Sequence, residues 1–177
     1  MFRLSSPITR LFLAAALIFS SNSVLAENTV AETDTSFKLK PVPELQDEAS
    51  DRFPGDPAEH KVVYMWNKAD ASYQLSILNS IQAMIRRYGD NVDIAVVVIG
   101  PGLHILAKQP KRDIDALSYD RVASFAQDYN VRWIACGNTM NSLNWNDKDM
   151  RPFAEYAQVG AAALMELQEE GYQAIYW

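Results

Sequence analysis

The chain has 177 residues, a formal net charge of −6, two histidines and a single cysteine. An acidic chain is a poor partner for nucleic acid or an anionic membrane surface, and one cysteine excludes an internal disulfide. His60 and His104 offer no close ligand spacing, and the glycines match neither a phosphate-binding loop nor a dinucleotide fold. The sequence therefore predicts neither a metal site nor a cofactor.

Residues 1–26 have the three parts of a secretory signal peptide. Arg3 and Arg10 accompany an apolar run over 11–20, and Val24-Leu25-Ala26 is a small-residue cleavage motif before Glu27. The run is far shorter than the roughly 20 residues that cross a bilayer, which disfavours the alternative of a retained membrane anchor. We expect a periplasmic protein, cleaved after Ala26 and free of the membrane, with 151 residues and a charge of −8 once both arginines are removed.

Residues 27–59 differ in composition from the rest of the chain. They hold nine acidic and three basic residues, four prolines and no sustained apolar period. This pattern predicts an extended or disordered arm that carries most of the acidity. A single folded domain is expected over residues 60–177.

From residue 60 onward, short apolar runs alternate with helical periods. The predicted elements are a strand over 62–66, a helix over 73–88 ended by Gly89, a strand over 94–99, a short helix over 103–108, a helix capped by Ser118 and ended at Asn130, a strand over 131–136, a loop over 141–146, a helical turn over 147–150, a strand over 155–159, a helix over 161–170 and a strand over 172–177. Such alternation predicts parallel βαβ units and a three-layer α/β/α domain.

Cys136 is the last residue of the predicted strand over 131–136. Side chains alternate along a strand, so Val131, Trp133 and Ala135 should share one face and the thiol should lie on the other. Ligands of open α/β sheets bind at the carboxyl ends of the strands, so the position suits chemistry as well as packing. The thiol is a buried inert group, an intermolecular bridge or a reactive group. At an exposed strand end, its substitution should cost little stability.

Six other residues are predicted to share this sheet edge and to form a binding site with the thiol. They are Lys68 after the first strand, Gly100, Gly102 and His104 after the second, and Asn138 and Thr139 after the third. A positive neighbour would favour the reactive thiolate, and Lys68 and His104 are the candidates. Asn138 and Thr139 can donate hydrogen bonds to an anion or a persulfide, or they form the turn that ends the strand.

Several segments together resemble the DsrE/DsrF-like family of sulfur-relay proteins. These segments are K-V-V-Y-M-W from residue 61, V-V-V-I-G-P-G over 96–102, A-C-G-N-T-M over 135–140 and G-A-A-A-L-M-E-L-Q-E-E-G-Y over 160–172. The resemblance implies a five-stranded, mainly parallel sheet between helices and a homo-oligomer. Sulfur-relay members carry sulfur as a persulfide on a cysteine, and this role maps onto Cys136 alone.

Two hypotheses follow for the function. In the first, the protein carries or transfers sulfane sulfur on Cys136 and exchanges it with a donor or acceptor protein or a small thiol. In the second, it is a non-catalytic oligomeric module for small-ligand binding or scaffolding, in which Cys136 has a structural role.

Overall fold

Five strands form a single sheet in the computed structural model, which describes Val42 and residues 51–177. The strands are β1 (His60–Trp66), β2 (Val92–Val98), β3 (Arg132–Cys136), β4 (Ala154–Ala157) and β5 (Gln173–Ile175). They pair in the order β4-β3-β2-β1-β5, and every neighbouring pair is parallel. The predicted signal peptide and, apart from Val42, the predicted arm up to residue 50 lie outside the described residues.

Four helices connect the strands: α1 (Ala71–Tyr88), α2 (Ala116–Tyr129), α3 (Gly137–Ser142) and α4 (Gly160–Glu169). The Asp70 carboxylate caps α1 by accepting the Tyr73 N–H at 2.9 Å, and Gly89 ends this helix with a φ of 60°. The prediction that Ser118 caps α2 is wrong. Asp115 is the cap, because its carboxylate accepts the Ser118 N–H at 2.8 Å and the helix begins earlier.

The two faces of the sheet are buried against different helices. One face packs against α1 and α2 in a cluster that includes Trp66, Val98, Trp133 and Ala135. The opposite face packs against α4, in a cluster that includes Val97, Ile134 and Leu167. Side chains of β3 thus alternate as predicted, and the three-layer α/β fold with a five-stranded sheet is confirmed.

The connections after β2 and β3 differ from their predictions. After β2 the chain forms a 3-10 helix over Gly100–Leu106, three residues earlier than the predicted helix. After β3, which ends at Cys136 as predicted, α3 takes the place of the turn predicted at Asn138 and Thr139 and of the first residues of the loop predicted over 141–146. Asparagine and serine disfavour helix interiors, which hid this helix in the sequence. Met140 is buried in the cluster that packs against α1 and α2, and this contact stabilises α3.

The segment before β1 contacts the end of the sheet at which the parallel strands begin. The Arg52 guanidinium lies 3.0 Å from the Asp90 carboxylate, which precedes β2. Among the described residues, no helix is both long and apolar enough to cross a membrane.

Candidate functional site

Cys136 lies at the carboxyl end of β3, on the face that α4 covers. Only 6% of its surface is exposed, so the expectation of an exposed strand end is wrong. The thiol is covered because the loop from β4 brings the start of α4 over it. There the Gly160 N–H donates a hydrogen bond to Sγ at 3.3 Å.

Hydrogen-bond donors surround the sulfur. Burial opposes ionisation of the thiol, but the backbone N–H groups of Thr139 and Gly160, the Thr139 hydroxyl and the Asn138 N–H act in the opposite direction. Their combined effect lowers the pKa of the Cys136 thiol below its ordinary value. The thiolate, which is the nucleophilic form, is therefore favoured without a neighbouring cation.

The approach of α4 to the thiol requires glycine at residue 160. A Cβ atom at Gly160 would lie 2.6 Å from the Ile99 Cγ2, 2.9 Å from the Cys136 Cβ and 3.2 Å from Sγ. On the other side of the strand, a Cβ at Gly137 would lie 2.6 Å from the Tyr156 hydroxyl. Both glycines allow backbone to approach where a larger residue would displace the cysteine or its neighbours.

Thr139 connects the thiol to the turn after β2. Its hydroxyl oxygen accepts the Gly100 N–H at 3.0 Å, and the same hydroxyl favours the thiolate of Cys136. Asn138 makes the corresponding connection to the loop after β4, since its N–H donates to the Gln158 carbonyl at 3.0 Å. The ends of β2, β3 and β4 are thus joined around one sulfur atom.

A cleft of about 390 Å³ opens between the turn after β2 and α3. Its lining residues come from three segments of the chain: Gly100, Pro101, His104, Arg112, Asn138, Thr139, Ser142 and Leu143. Asn138 and Thr139 belong both to this cleft and to the surroundings of the thiol. The cleft has a volume in the range of roughly 300–1,000 Å³ that small-molecule sites occupy.

Four of the six residues predicted to share the edge with Cys136 line this cleft, namely Gly100, His104, Asn138 and Thr139. Lys68 instead lines an adjoining cleft of about 700 Å³, and its Nζ lies 4.8 Å from the centre of the Tyr73 ring. Gly102 is buried against β1, where an added Cβ would lie 2.5 Å from the Trp66 Cδ1. Its role is close packing of the turn against the sheet.

His104 is buried in the 3-10 helix that follows β2, with 4% of its surface exposed. Its Nδ1 accepts the Lys111 N–H at 3.1 Å, and its ring meets the Trp145 ring edge-on at 4.9 Å. Burial, with Arg112 and Lys111 nearby, lowers the pKa of the imidazole. Neither His104 nor Lys68 forms a hydrogen bond with the thiol.

Within the part of the chain that the structure describes, no three His, Cys, Asp or Glu side chains converge on a position that could hold a metal ion. The groups at the site are a thiol, backbone N–H groups, a hydroxyl and an imidazole. This set suits binding and nucleophilic displacement at sulfur.

Residues 60–177 match the DsrE/DsrF-like family over the whole folded domain. The chain belongs to this family. Among curated proteins, none matches the chain. The assignment gives it a sulfur-relay-like fold and confirms the resemblance seen in the sequence.

Two solved structures have the same fold. A protein of unknown function from Methanobacterium thermoautotrophicum, MTH1491, is 20% identical and superposes with a TM-score of 0.60, covering 67% of this chain and 100% of its own. The ychN protein from E. coli is 11% identical with a TM-score of 0.55, covering 67% of this chain and 99% of its own. At these identities the likeness shows the fold alone.

Two residues of the site were missed in the sequence. Gly160 follows the predicted strand over 155–159, so the order of parallel strands was the signal that its N–H would face the same edge as Cys136. Arg112 gave no such signal, because it lies in a charged loop of the kind that usually faces solvent.

Proposed function

We propose that this DsrE/DsrF-like protein carries sulfane sulfur as a persulfide on Cys136 and passes it to an acceptor. The observation that supports the proposal is the cluster of donors around a strand-end sulfur, which favours the thiolate in a site with little exposed surface. The same donors can hold the terminal sulfur of a persulfide anion.

The transfer is a displacement at sulfur and needs no separate oxidant. The Cys136 thiolate attacks the outer sulfur of a donor R–S–SH, forming a new S–S bond. The original S–S bond breaks, and R–S⁻ leaves with the electron pair. An acceptor thiolate reverses the sequence by attacking the outer sulfur of the Cys136 persulfide.

The sequence suggests the cellular compartment and the partners of this chemistry. Export and cleavage after Ala26 would place the protein in the periplasm, where a donor or acceptor protein or a small thiol is the partner. A homo-oligomer would cover the apolar residues that remain exposed, including Tyr176 and Trp177 at 57% and 52% exposure.

Mass spectrometry of the protein after incubation with glutathione persulfide tests the proposal. We expect an adduct of about 32 Da, one sulfur atom, on the peptide that contains Cys136, and its removal by a small thiol. Cys136→Ser should form no adduct. Because Cys136 is buried, its substitution could unfold the protein. A urea denaturation curve with a cooperative transition must therefore show that Cys136→Ser is folded before the missing adduct is interpreted.

A folded wild-type protein that forms no adduct would refute sulfur carriage. If the thiol also resists alkylation until the protein is denatured, Cys136 is a packing residue. The alternative of a non-catalytic binding or scaffold module would then hold, and the 6% exposure of Cys136 is the observation that favours it.

A further inference from the structure

The start of α4 leaves a donor little room to reach the thiol. Displacement at sulfur requires the outer sulfur of the donor to touch Sγ, whereas only 6% of Cys136 is exposed. Residues 158–160, which we call the cover segment, join β4 to α4 and place the Gly160 N–H 3.3 Å from Sγ. Sulfur exchange therefore requires a movement that uncovers the sulfur.

The cover segment is connected to α3 through a single residue pair, Gln158 and Asn138. The Asn138 N–H donates to the Gln158 carbonyl at 3.0 Å, and the Gln158 Nε2 donates to the Asn138 Oδ1 at 3.3 Å. The Tyr156 hydroxyl donates to the Gln158 Oε1 and so orients the same amide. All three residues are exposed, and hydrogen bonds between neutral groups contribute little net stability where water can replace them.

Opening of the cover segment would expose little apolar surface. Gln158 and Val159 are already exposed, and Gly160, the buried member, has no side chain. By contrast, α3 on the other side of the sulfur is fixed by Met140, which is 3% exposed. The cover segment is therefore the part of the site that can move at the lowest cost.

The end of α4 that lies over the thiol also lacks a side-chain cap. The helices α1 and α2 begin with Asp70 and Asp115, whose carboxylates accept backbone N–H groups. The N-cap residue of α4 is Val159, which makes no side-chain hydrogen bond. Because valine is among the poorest N-cap residues, the first turn of α4 is held less firmly than those of α1 and α2.

We propose that residues 158–160 form a lid over Cys136 and that Gln158 sets how often this lid opens to admit a sulfur donor or acceptor. The inference rests on the proposed function and adds the regulation of access to its site. Opening breaks the Gln158–Asn138 contacts and the Gly160 hydrogen bond to Sγ. The donors of Asn138 and Thr139 belong to α3 and stay beside the sulfur, so the thiolate remains favoured while it is exposed.

The test compares Gln158→Ala with the wild type and with the control Gln168→Ala. Gln168 is an exposed glutamine near the other end of α4, and its Nε2 donates to the Leu164 carbonyl of the same helix. The rate of iodoacetamide alkylation of Cys136 is measured against pH and at urea concentrations below the unfolding transition. The plateau rate at high pH reports the fraction of open molecules, and the midpoint reports the pKa of the thiol.

We expect Gln158→Ala to raise the plateau rate about threefold to tenfold, as for loss of one or two hydrogen bonds between neutral groups, and Gln168→Ala to match the wild type. The plateau rates should hardly change with urea, because local opening exposes little surface. Equal plateau rates in Gln158→Ala and wild type would overturn the lid. A wild-type rate that rises with urea in parallel with global unfolding would overturn it as well.

Loading from glutathione persulfide separates the lid from sulfur carriage, because iodoacetamide delivers no sulfur. We expect Gln158→Ala to accelerate loading by the same factor as alkylation. Faster alkylation without an adduct in either protein supports the lid and refutes sulfur carriage. Loading at equal rates in both proteins supports carriage and overturns the lid as its entrance, and a native thiol that neither reagent modifies overturns both proposals.

Discussion

Replacing Thr139 by valine tests whether hydrogen bonds control the thiol. Valine keeps the shape of threonine but removes the hydroxyl, which accepts the Gly100 N–H at 3.0 Å and favours the Cys136 thiolate. Because the lost donor stabilised the charged form, the pKa of the thiol should rise. Thr139→Ser keeps the hydroxyl and is the matched control.

The size of the effect follows from the number of donors that remain. A hydrogen bond to a charged group is worth about 1.5–3 kcal/mol, and the N–H groups of Gly160 and Thr139 still serve the thiolate, so we expect the lower value. This corresponds to a rise of about one pKa unit and to about tenfold slower alkylation at a pH below both pKa values. The Gly100 N–H loses its partner at a half-buried position, which should cost about 1 kcal/mol of stability.

The measurement is the rate of iodoacetamide alkylation as a function of pH, with urea denaturation alongside. Wild type and Thr139→Ser should have midpoints below that of the thiol in the denatured protein, and Thr139→Val should have a higher midpoint than either. Equal midpoints in all three proteins would show that the hydroxyl does not act on the sulfur. Equal shifts in the serine and valine variants would show that the effect is steric.

Three further predictions concern packing, assembly and export. Gly160→Ala should lower the free energy of unfolding by about 1–3 kcal/mol in urea denaturation, because its Cβ would lie 2.6 Å from the Ile99 Cγ2. Ala161→Ser, at the exposed next residue, is the control and should change this free energy by less than about 0.5 kcal/mol. A stable Gly160→Ala variant would contradict the close approach of α4. Light scattering at micromolar concentration should give a multiple of the mature mass, and a monomer would exclude the homo-oligomer. Terminal sequencing of the protein from a periplasmic extract should begin at Glu27, and an intact amino terminus in the membrane fraction would exclude cleavage.

The layers of the fold could be predicted because their signals are local. An unbroken apolar run predicted β2, and a 3.6-residue period together with Gly89 predicted α1. The alternation of these elements indicated the parallel sheet. By contrast, α3 could not be predicted, because it is polar along most of its length and Met140 alone supplies the core contact that stabilises it.

The sequence predicted at which end of the sheet the site lies, but not which side chains contact one another there. The position of Cys136 at a strand end was correct, whereas its burial depends on Gly160, which is 24 residues away in the chain. Contacts of this kind result from tertiary packing, which no local pattern in the sequence records.

The direction of the chain through the sheet determines which end of the domain is better suited for attaching a surface tether, a dye or a fusion partner. All five strands run the same way, so the chain enters β1 at the edge where Arg52 pairs with Asp90 and leaves β5 at the edge that holds Cys136. β5 lies three strands from β3, about 14 Å at the usual strand spacing. A surface tether, dye or fusion partner joined after Trp177 would therefore crowd the mouth of the site, whereas one joined ahead of Arg52 starts from the far edge. For immobilised assays of sulfur exchange, the amino-terminal side is the attachment point of choice.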